Sequence, residues 1–481
     1  MTRPPSDRPG SGAAHSTGSL PRRAIRLVRE ALAGGQRDFT TGNLNRAVVF
    51  LAIPMVMEMA MESVFAIVDA FFVTRLGSDA LATVGLAESM LTIIYGLAVG
   101  VSMATTAMVA RRIGEKRDEE ASSVAIHAIV VGLGVAVGLG VPGFLAAPHL
   151  LHLMGASQSI LAVGTSYTRI LFGTNVVIMM LFVNNAIFRG AGDASLAMRA
   201  LWLANGINLV LDPCLIFGLG PFPELGLTGA AVATSLGRGI GVCFQFWMLS
   251  RGSGRIVLAR RRLRFRMDVM TRLVKLAGSG SAQWLVATAS WVVLVRIVAS
   301  FGGSAVAAYT LAIRIIMFAL LPAFGVSNAA ATLVGQNLGA NNPRRAELSV
   351  WLTGLYTMVL LVGVTALFVS LGEPIIRLFT ADPELVPVAT TCLRVISYGY
   401  VFYAWGMVMV QAFNGAGDTT TPLFLNLACF WFCQIPLAWL LSQRTSLAMS
   451  GVFWAVAISE SILAMLAMLV FRQGRWKSRQ V

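Results

Sequence analysis

The sequence predicts an all-α polytopic membrane protein, with twelve transmembrane helices in two parallel six-helix repeats around a central cleft. Three observations carry that expectation. Hydrophobic residues make up 56% of the 481 residues and charged ones only 12%, at a mean hydropathy of +0.74, too little charge to cover a soluble protein of this length. Apolar runs long enough to cross a bilayer recur along nearly the whole chain. One half of the chain also repeats in the other half at a fixed spacing.

The spans follow from the solvent. Crossing ~30 Å of hydrocarbon takes ~20 apolar residues of helix, because the backbone must bond to itself there. The runs place spans at 47–71, 82–110, 122–148, 159–187, 200–218, 228–250, 275–300, 304–335, 348–372, 386–412, 422–441 and 449–471. A net charge of +15 invites a nucleic-acid partner, but the basic residues lie between spans. They gather before Ala47, over Arg111–Arg117, over Arg251–Lys275, at Arg344–Arg345 and after Phe471, all on one side if the spans alternate. The opposite loops carry Arg75, Arg377 and Arg444 as their main cations. Cation-rich loops stay cytoplasmic, so both termini are expected inside, in a multi-pass protein of the cytoplasmic (inner) membrane. No nucleic acid is expected as a partner.

Residues 1–45, rich in Pro, Gly, Ser and Arg, read as a flexible basic cytoplasmic tail with no signal peptide. Residues 46–250 form the N-lobe with spans 1–6, and 251–274 a basic cytoplasmic linker. Residues 275–472 form the C-lobe with spans 7–12, and 473–481 a second cytoplasmic tail. The linker, with Arg260, Arg261 and Arg262, is expected to touch anionic headgroups. The five cysteines, Cys214, Cys243, Cys392, Cys429 and Cys433, all fall within spans and read as small apolar fillers.

The repeat is offset by 225 residues. Phe188-Arg-Gly-Ala-Gly-Asp193 returns as Phe413-Asn-Gly-Ala-Gly-Asp418; Gly77 matches Gly302, Gly114 matches Gly339, and Arg169 matches Arg394. Six spans per half is an even number, so both halves enter from the same side and are related by an axis near the membrane normal. Two such bundles flank a cleft that opens to either side by rocking. No filter-like loop points to a channel, and a monomer is the expected state.

Carboxylates inside spans are costly, and they usually line a cavity or relay protons. The first span carries Glu58, Glu62 and Asp69, within about 40° of azimuth, as one acidic stripe roughly 16 Å long. The fifth carries Asn205, Asn208 and Asp212 on one face. Asparagine amides and the Tyr167 hydroxyl can hold a carboxylate in either protonation state. Burial and a second carboxylate nearby favour the protonated form, so such a group can load and release a proton. Glu58, Glu62, Asn205, Glu88 and Gln283 are candidate cavity or substrate residues; Glu58 and Glu62 serve equally well as helix pins. Glu460 lies near a helix end or faces the cleft, and Arg314 calls for a partner. Asp193 and Asp418 lie in tight turns, where Gly permits positive φ and Asp caps the next helix. The four histidines are scattered, and no metal set, nucleophile motif or phosphate loop is present.

Twelve spans in two repeats, Ala52-Ile53-Pro54 in the first span, Val68-Asp69 followed by Arg75-Leu76-Gly77, and the paired Gly-Ala-Gly-Asp loops together resemble the multidrug and toxic compound extrusion (MATE) family over residues 45–472. The pattern is most similar to the branch named for a DNA-damage-inducible member (DinF-like). The resemblance implies an antiporter that exports organic, often cationic, compounds in exchange for H+ or Na+, with no cofactor. It also implies an ion-coupling cluster in the N-lobe: Asp69 and Asp212, with Asn208 one turn before the second, Tyr167 and Asn185 on the fourth span, Thr228 more loosely on the sixth, and Pro54 as a hinge. Na+ could occupy Asp69, Asp212 and Asn208. The sister branch uses a glutamate on the seventh span, but Gln283–Ser300 holds no carboxylate, so a C-lobe coupling site is expected to be absent. The alternatives are a flippase for a lipid-linked precursor, a related fold whose cavity is strongly cationic, and an intramembrane enzyme.

Overall fold

A computed structural model of the chain describes residues 20–35, 37–251, 254–258 and 266–479, with side chains from Ile25 onward. Arg260, Arg261 and Arg262 of the expected linker lie outside the described residues.

A short helix, α1 (Leu20–Ala33), precedes the first repeat. That repeat runs α2 (Leu44–Thr74), α3 (Ser78–Gly114), α4 (Asp118–Leu153), α5 (Gln158–Gly173), α6 (Asn175–Ala191), α7 (Ala194–Phe217) and α8 (Leu227–Arg251). The second runs α9 (Met267–Ala299), α10 (Gly303–Gly339), α11 (Pro343–Arg377), α12 (Leu385–Tyr398), α13 (Tyr400–Gly415), then α14 (Thr420–Asn426), which passes through a π-helical stretch (Leu427–Gln434) into α15 (Ile435–Arg444), and α16 (Ser450–Arg472). Ten helices, counting α14 to α15 as one, are long and apolar enough to span a bilayer, and the bent pairs α5–α6 and α12–α13 complete twelve.

The fourth and tenth spans, expected as single helices, are bent by 40° and 59°. The breaks fall at Thr174 and Gly399, which are repeat equivalents. The Thr174 hydroxyl donates to the Ile170 carbonyl at 2.7 Å, a side-chain competitor to the helix ladder, while Gly399 is a weak helix former. The repeat is written into the backbone as well. Helices α3 and α10 are both 37 residues long and start 225 residues apart. Gly192 and Gly417 take φ of 88° and 81° in the paired loops, a region open to glycine at no steric cost. The following aspartates differ. Asp418 accepts the Thr421 N–H at 3.4 Å and so caps α14, as expected. Asp193 takes the Ser195 hydroxyl at 2.7 Å and caps no backbone N–H.

Three segments expected to be tails or linker carry structure. Helix α1 lies within the expected N-terminal tail, where Leu27 and Ala31 pack with Val48 and Leu51 and the Arg199 guanidinium donates to the Leu32 and Ala33 carbonyls. Helix α9 begins at Met267, inside the expected linker. After α16, Trp476 is buried against Phe471, and Lys477 and Arg479 pair with Glu347 and Asp418.

The lobes meet along α2–α10, α3–α9 and α3–α10. Among the described residues every hydrogen bond between them lies at the end that carries both termini. Thr332 and Gln336 donate to the Arg189 and Gly190 carbonyls at 3.1 and 3.0 Å, Arg345 clamps the carbonyls of Phe39, Thr41 and Gly42, and Arg111 donates to Arg479. There α3 crosses α10 backbone to backbone: a Cβ on Gly114 would fall on the Gln336 carbonyl, and one on Gly339 within 3.0 Å of the Gly114 Cα. The bundle is closed at this end.

Candidate functional site

The acidic face of α2 turns into the N-lobe, against α7 and the helices behind it. Glu58 is buried and accepts from the Asn185 amide at 3.0 Å and from Arg189 at 3.3 Å, both on α6. Gln245 of α8 donates to Asn185 Oδ1 at 2.6 Å and fixes that amide's orientation. One turn on, Glu62 accepts from Asn205 of α7 at 3.0 Å and pairs with Arg238 of α8 at 3.5 Å. The Arg238 guanidinium also donates to the Tyr95 hydroxyl at 3.1 Å and lies 5.5 Å from the centre of the Phe65 ring. Both acids thus have a guanidinium partner, although Glu58 Oε2 makes no hydrogen bond among the described residues.

Asp212 is fully buried and has a different neighbourhood. Its Oδ1 accepts from the Asn208 amide at 3.3 Å, and its Oδ2 has no hydrogen-bond partner among the described residues. Asn208 reaches across to Thr234 Oγ1 on α8 at 3.2 Å. Asp69 is half-buried, makes no hydrogen bond among the described residues, and lies within electrostatic reach of Asp212, Glu88 and Arg238. The buried Tyr167 lies within reach of both aspartates. Four N-lobe carboxylates (Glu58, Glu62, Asp69, Asp212) thus face two guanidiniums (Arg189, Arg238), a surplus of two negative charges concentrated at Asp69 and Asp212.

The structure brings Asp69, Asp212, Asn208 and Tyr167 together, and revises several other expected placements. Asn185 serves Glu58 and not the aspartate pair. Thr228 sits in the first turn of α8 with no hydrogen bond to the cluster; Thr234, almost two turns along, is the hydroxyl that Asn208 reaches. The acidic stripe is not a continuous anionic surface, since its first two members carry arginine partners. Gln283 is buried on α9 in the other lobe, where that helix packs on α3. Glu88 is exposed, and its charge partner is Arg314 of α10, which places both at the lobe boundary. Helix α2 runs unbroken through Pro54. Sequence reasoning missed Arg189, Arg238, Thr234 and Gln245. The last three recur on α8 within about 40° of azimuth, a polar stripe legible by the rule already applied to α2 and α7. Among the described residues no group of His, Cys, Asp and Glu could hold a metal ion of the clustered kind.

Comparisons with known proteins identify the family. The MatE family profile covers residues 54–214 and 282–440, one stretch in each lobe. The chain is 24% identical over 439 residues to the probable multidrug resistance protein NorM of Thermotoga maritima, spanning 91% of this chain and 94% of that one. It is 26% identical over 406 residues to the FAD transporter of Shewanella oneidensis, spanning 82% and 87%. A solved outward-facing structure of a multidrug resistance MATE family transporter superposes with a TM-score of 0.86 at 26% identity, over 95% of this chain and 99% of that one. Relatives named as transporters and a two-lobed twelve-span bundle lead to one assignment: the chain belongs to the MatE family of multi-pass membrane transporters.

Proposed function

We propose that this chain is a secondary-active antiporter that exports organic compounds in exchange for protons, with Asp69 and Asp212 as the coupling acids. One observation carries the reading: in the cluster of Glu58, Glu62, Asp69 and Asp212 the two guanidiniums pair with the glutamates, leaving a fully buried aspartate with one oxygen unsatisfied and no ion pair among the described residues. A buried surplus of negative charge needs a mobile cation. Protonation neutralises the site; deprotonation restores an anionic pair that favours a cationic substrate. Each lobe rocks as a unit, and the end bearing both termini, taken as cytoplasmic from the cation bias of its loops, is the closed gate of this state. The same carboxylates with the Asn208 carbonyl could take Na+, and the motifs quoted above support the DinF-like branch as the nearest reading.

The multidrug names of several relatives support broad organic substrates, and the FAD transporter supports a second reading, an anionic aromatic substrate attracted to the exposed Arg314. Reconstituted vesicles under proton and sodium gradients imposed separately, loaded with a cationic dye or with a flavin dinucleotide, separate these readings. Proton-driven dye export is expected. Transport that follows only the sodium gradient, or only the flavin, refutes the proton or the cation assignment respectively, and lipid flipping without export favours the flippase.

A further inference from the structure

The C-lobe contains a buried acid that the coupling cluster does not use. Beside the break in the tenth span lies a cavity of ≈ 20 Å³, room for about one water, lined by Trp291, Gly399, Tyr400, Tyr403, Ala457 and Glu460. Glu460, on α16, is 8% exposed and makes no hydrogen bond or ion pair among the described residues. Its carboxylate borders that cavity. The elements packed against α16 are α9, α12, α13, α14, the π-helical stretch and α15. From these, the titratable groups within electrostatic reach are Tyr403 of α13 and Cys429 of the π-helical stretch; no arginine acts on it, including Arg296 of α9, Arg394 of α12 and Arg444 of α15.

The internal repeat shows what this place looks like without an acid. Gly399 answers to Thr174 at the 225-residue offset, but across the last span the offset is 222, since Gly229 and Gly451 seat alike against Leu215 and Leu441; Ala457 thus answers to Ser235, and Glu460 to Arg238. In the N-lobe those two hydroxyls meet at 2.7 Å and bridge the broken fourth span to α8. The Ser235 hydroxyl also lies 2.7 Å from its own Ala231 carbonyl, so the N-lobe version is a closed, neutral pin. In the C-lobe the pair is Gly399 and Ala457 in close contact, the bridge is gone, and Glu460 stands where the N-lobe carries the paired Arg238. The side chains around the cavity offer one carboxylate and two phenol hydroxyls, far short of the roughly six oxygens a hard cation takes.

We propose that Glu460 is a proton-binding site of the C-lobe, loading and releasing a proton through the cavity at the Gly399 break. The site lies in the opposite lobe from Asp69 and Asp212 and does not depend on their role. Because it is formed by the broken tenth span, α9 and α16, movement at the break alters its access.

The test is infrared difference spectroscopy of the protonated-carboxyl C=O band in full-length protein carrying Asp69→Asn and Asp212→Asn, titrated with pH. That background silences the N-lobe pair, so failure here and failure of the proposed antiport are distinguishable. The expected result is a pH-titrating band that disappears on adding Glu460→Gln, shifts position with Glu460→Asp, and survives Ser235→Ala. In otherwise unmodified protein, Glu460→Gln should lower the protons moved per substrate by one. Three results would overturn the proposal: a band set unchanged by Glu460→Gln, a Glu460 band that does not respond to pH, or one erased by Na+ at fixed pH. Should Glu460→Gln fail to insert, the band shift in Glu460→Asp decides in the same way.

Discussion

The crossing of α3 and α10 makes the strongest demand on a single atom position. At Gly114 an added methyl would land on the Gln336 carbonyl oxygen and within 2.8 Å of the Gln336 Cα. Both sides of that contact are backbone, so no side-chain rotation relieves it. Overpacking of this kind costs about 1–3 kcal/mol. The cost falls only on the state in which the lobes touch at this end, so Gly114→Ala should shift the equilibrium toward opening by about 5- to 150-fold. Spin labels on cysteines replacing the exposed Arg117 and Arg344 would report the distance across the gate. A second, longer distance population is expected in Gly114→Ala, and likewise in Gly339→Ala, the repeat equivalent. Gly134→Ala is the control, because no atom lies within 4 Å of its added methyl. An unchanged single distance in both crossing variants would refute the claim that this contact holds the gate shut.

Two further outcomes follow from the ion pairs. Arg238→Met leaves Glu62 and Tyr95 without their guanidinium; with Glu62 a third exposed and partly solvated, a modest fall in melting temperature is expected, largely restored by adding Glu62→Gln. Glu30, outside the spans, has its carboxyl held below the ordinary value of 4.5 by hydrogen bonds from Arg26 and Arg46. A lowered folded-state value means the contribution to docking α1 on α2 is present above the ordinary value and lost as pH falls through the lowered one. Hydrogen exchange of α1 should therefore be flat at neutral pH and rise only under acid, and Glu30→Gln should abolish that acid dependence.

The spans and the repeat were legible because hydropathy and a constant offset are properties of the sequence itself. Asp69 and Asp212 were legible for a related reason: a carboxylate within an apolar run stands out against its neighbours. What the sequence concealed is pairing across helices. Arg189 lies 131 residues from Glu58, and in the repeated hexapeptide it read as part of a turn, while Arg238 lay unremarked in the sixth span. The breaks at Thr174 and Gly399 were hidden because apolarity continues through them, and only a competing hydroxyl or a missing side chain marks the spot. Helix α1 was masked by averaging. Proline, glycine, serine and arginine are frequent over residues 1–45 as a whole, yet Ile25, Val28 and Leu32 recur at helical spacing within them. Thr228 was misplaced because its match to the family pattern was loose, whereas Asn208 lay on a face fixed by Asn205 and Asp212 and fell where expected.

The account turns on the claim that the surplus charge at Asp69 and Asp212, and not the arginine-paired Glu58 and Glu62, couples the gradient to export. The direct measurement is uphill export driven by an imposed proton gradient in vesicles reconstituted with Asp69→Asn or Asp212→Asn protein, set beside the amount of protein correctly inserted. The amide keeps the shape of each side chain, so insertion should match the unmodified protein while gradient-driven export falls to the level of protein-free vesicles. If Asp69→Asn or Asp212→Asn protein inserts normally and still moves substrate uphill at the unmodified rate, the coupling assignment is wrong.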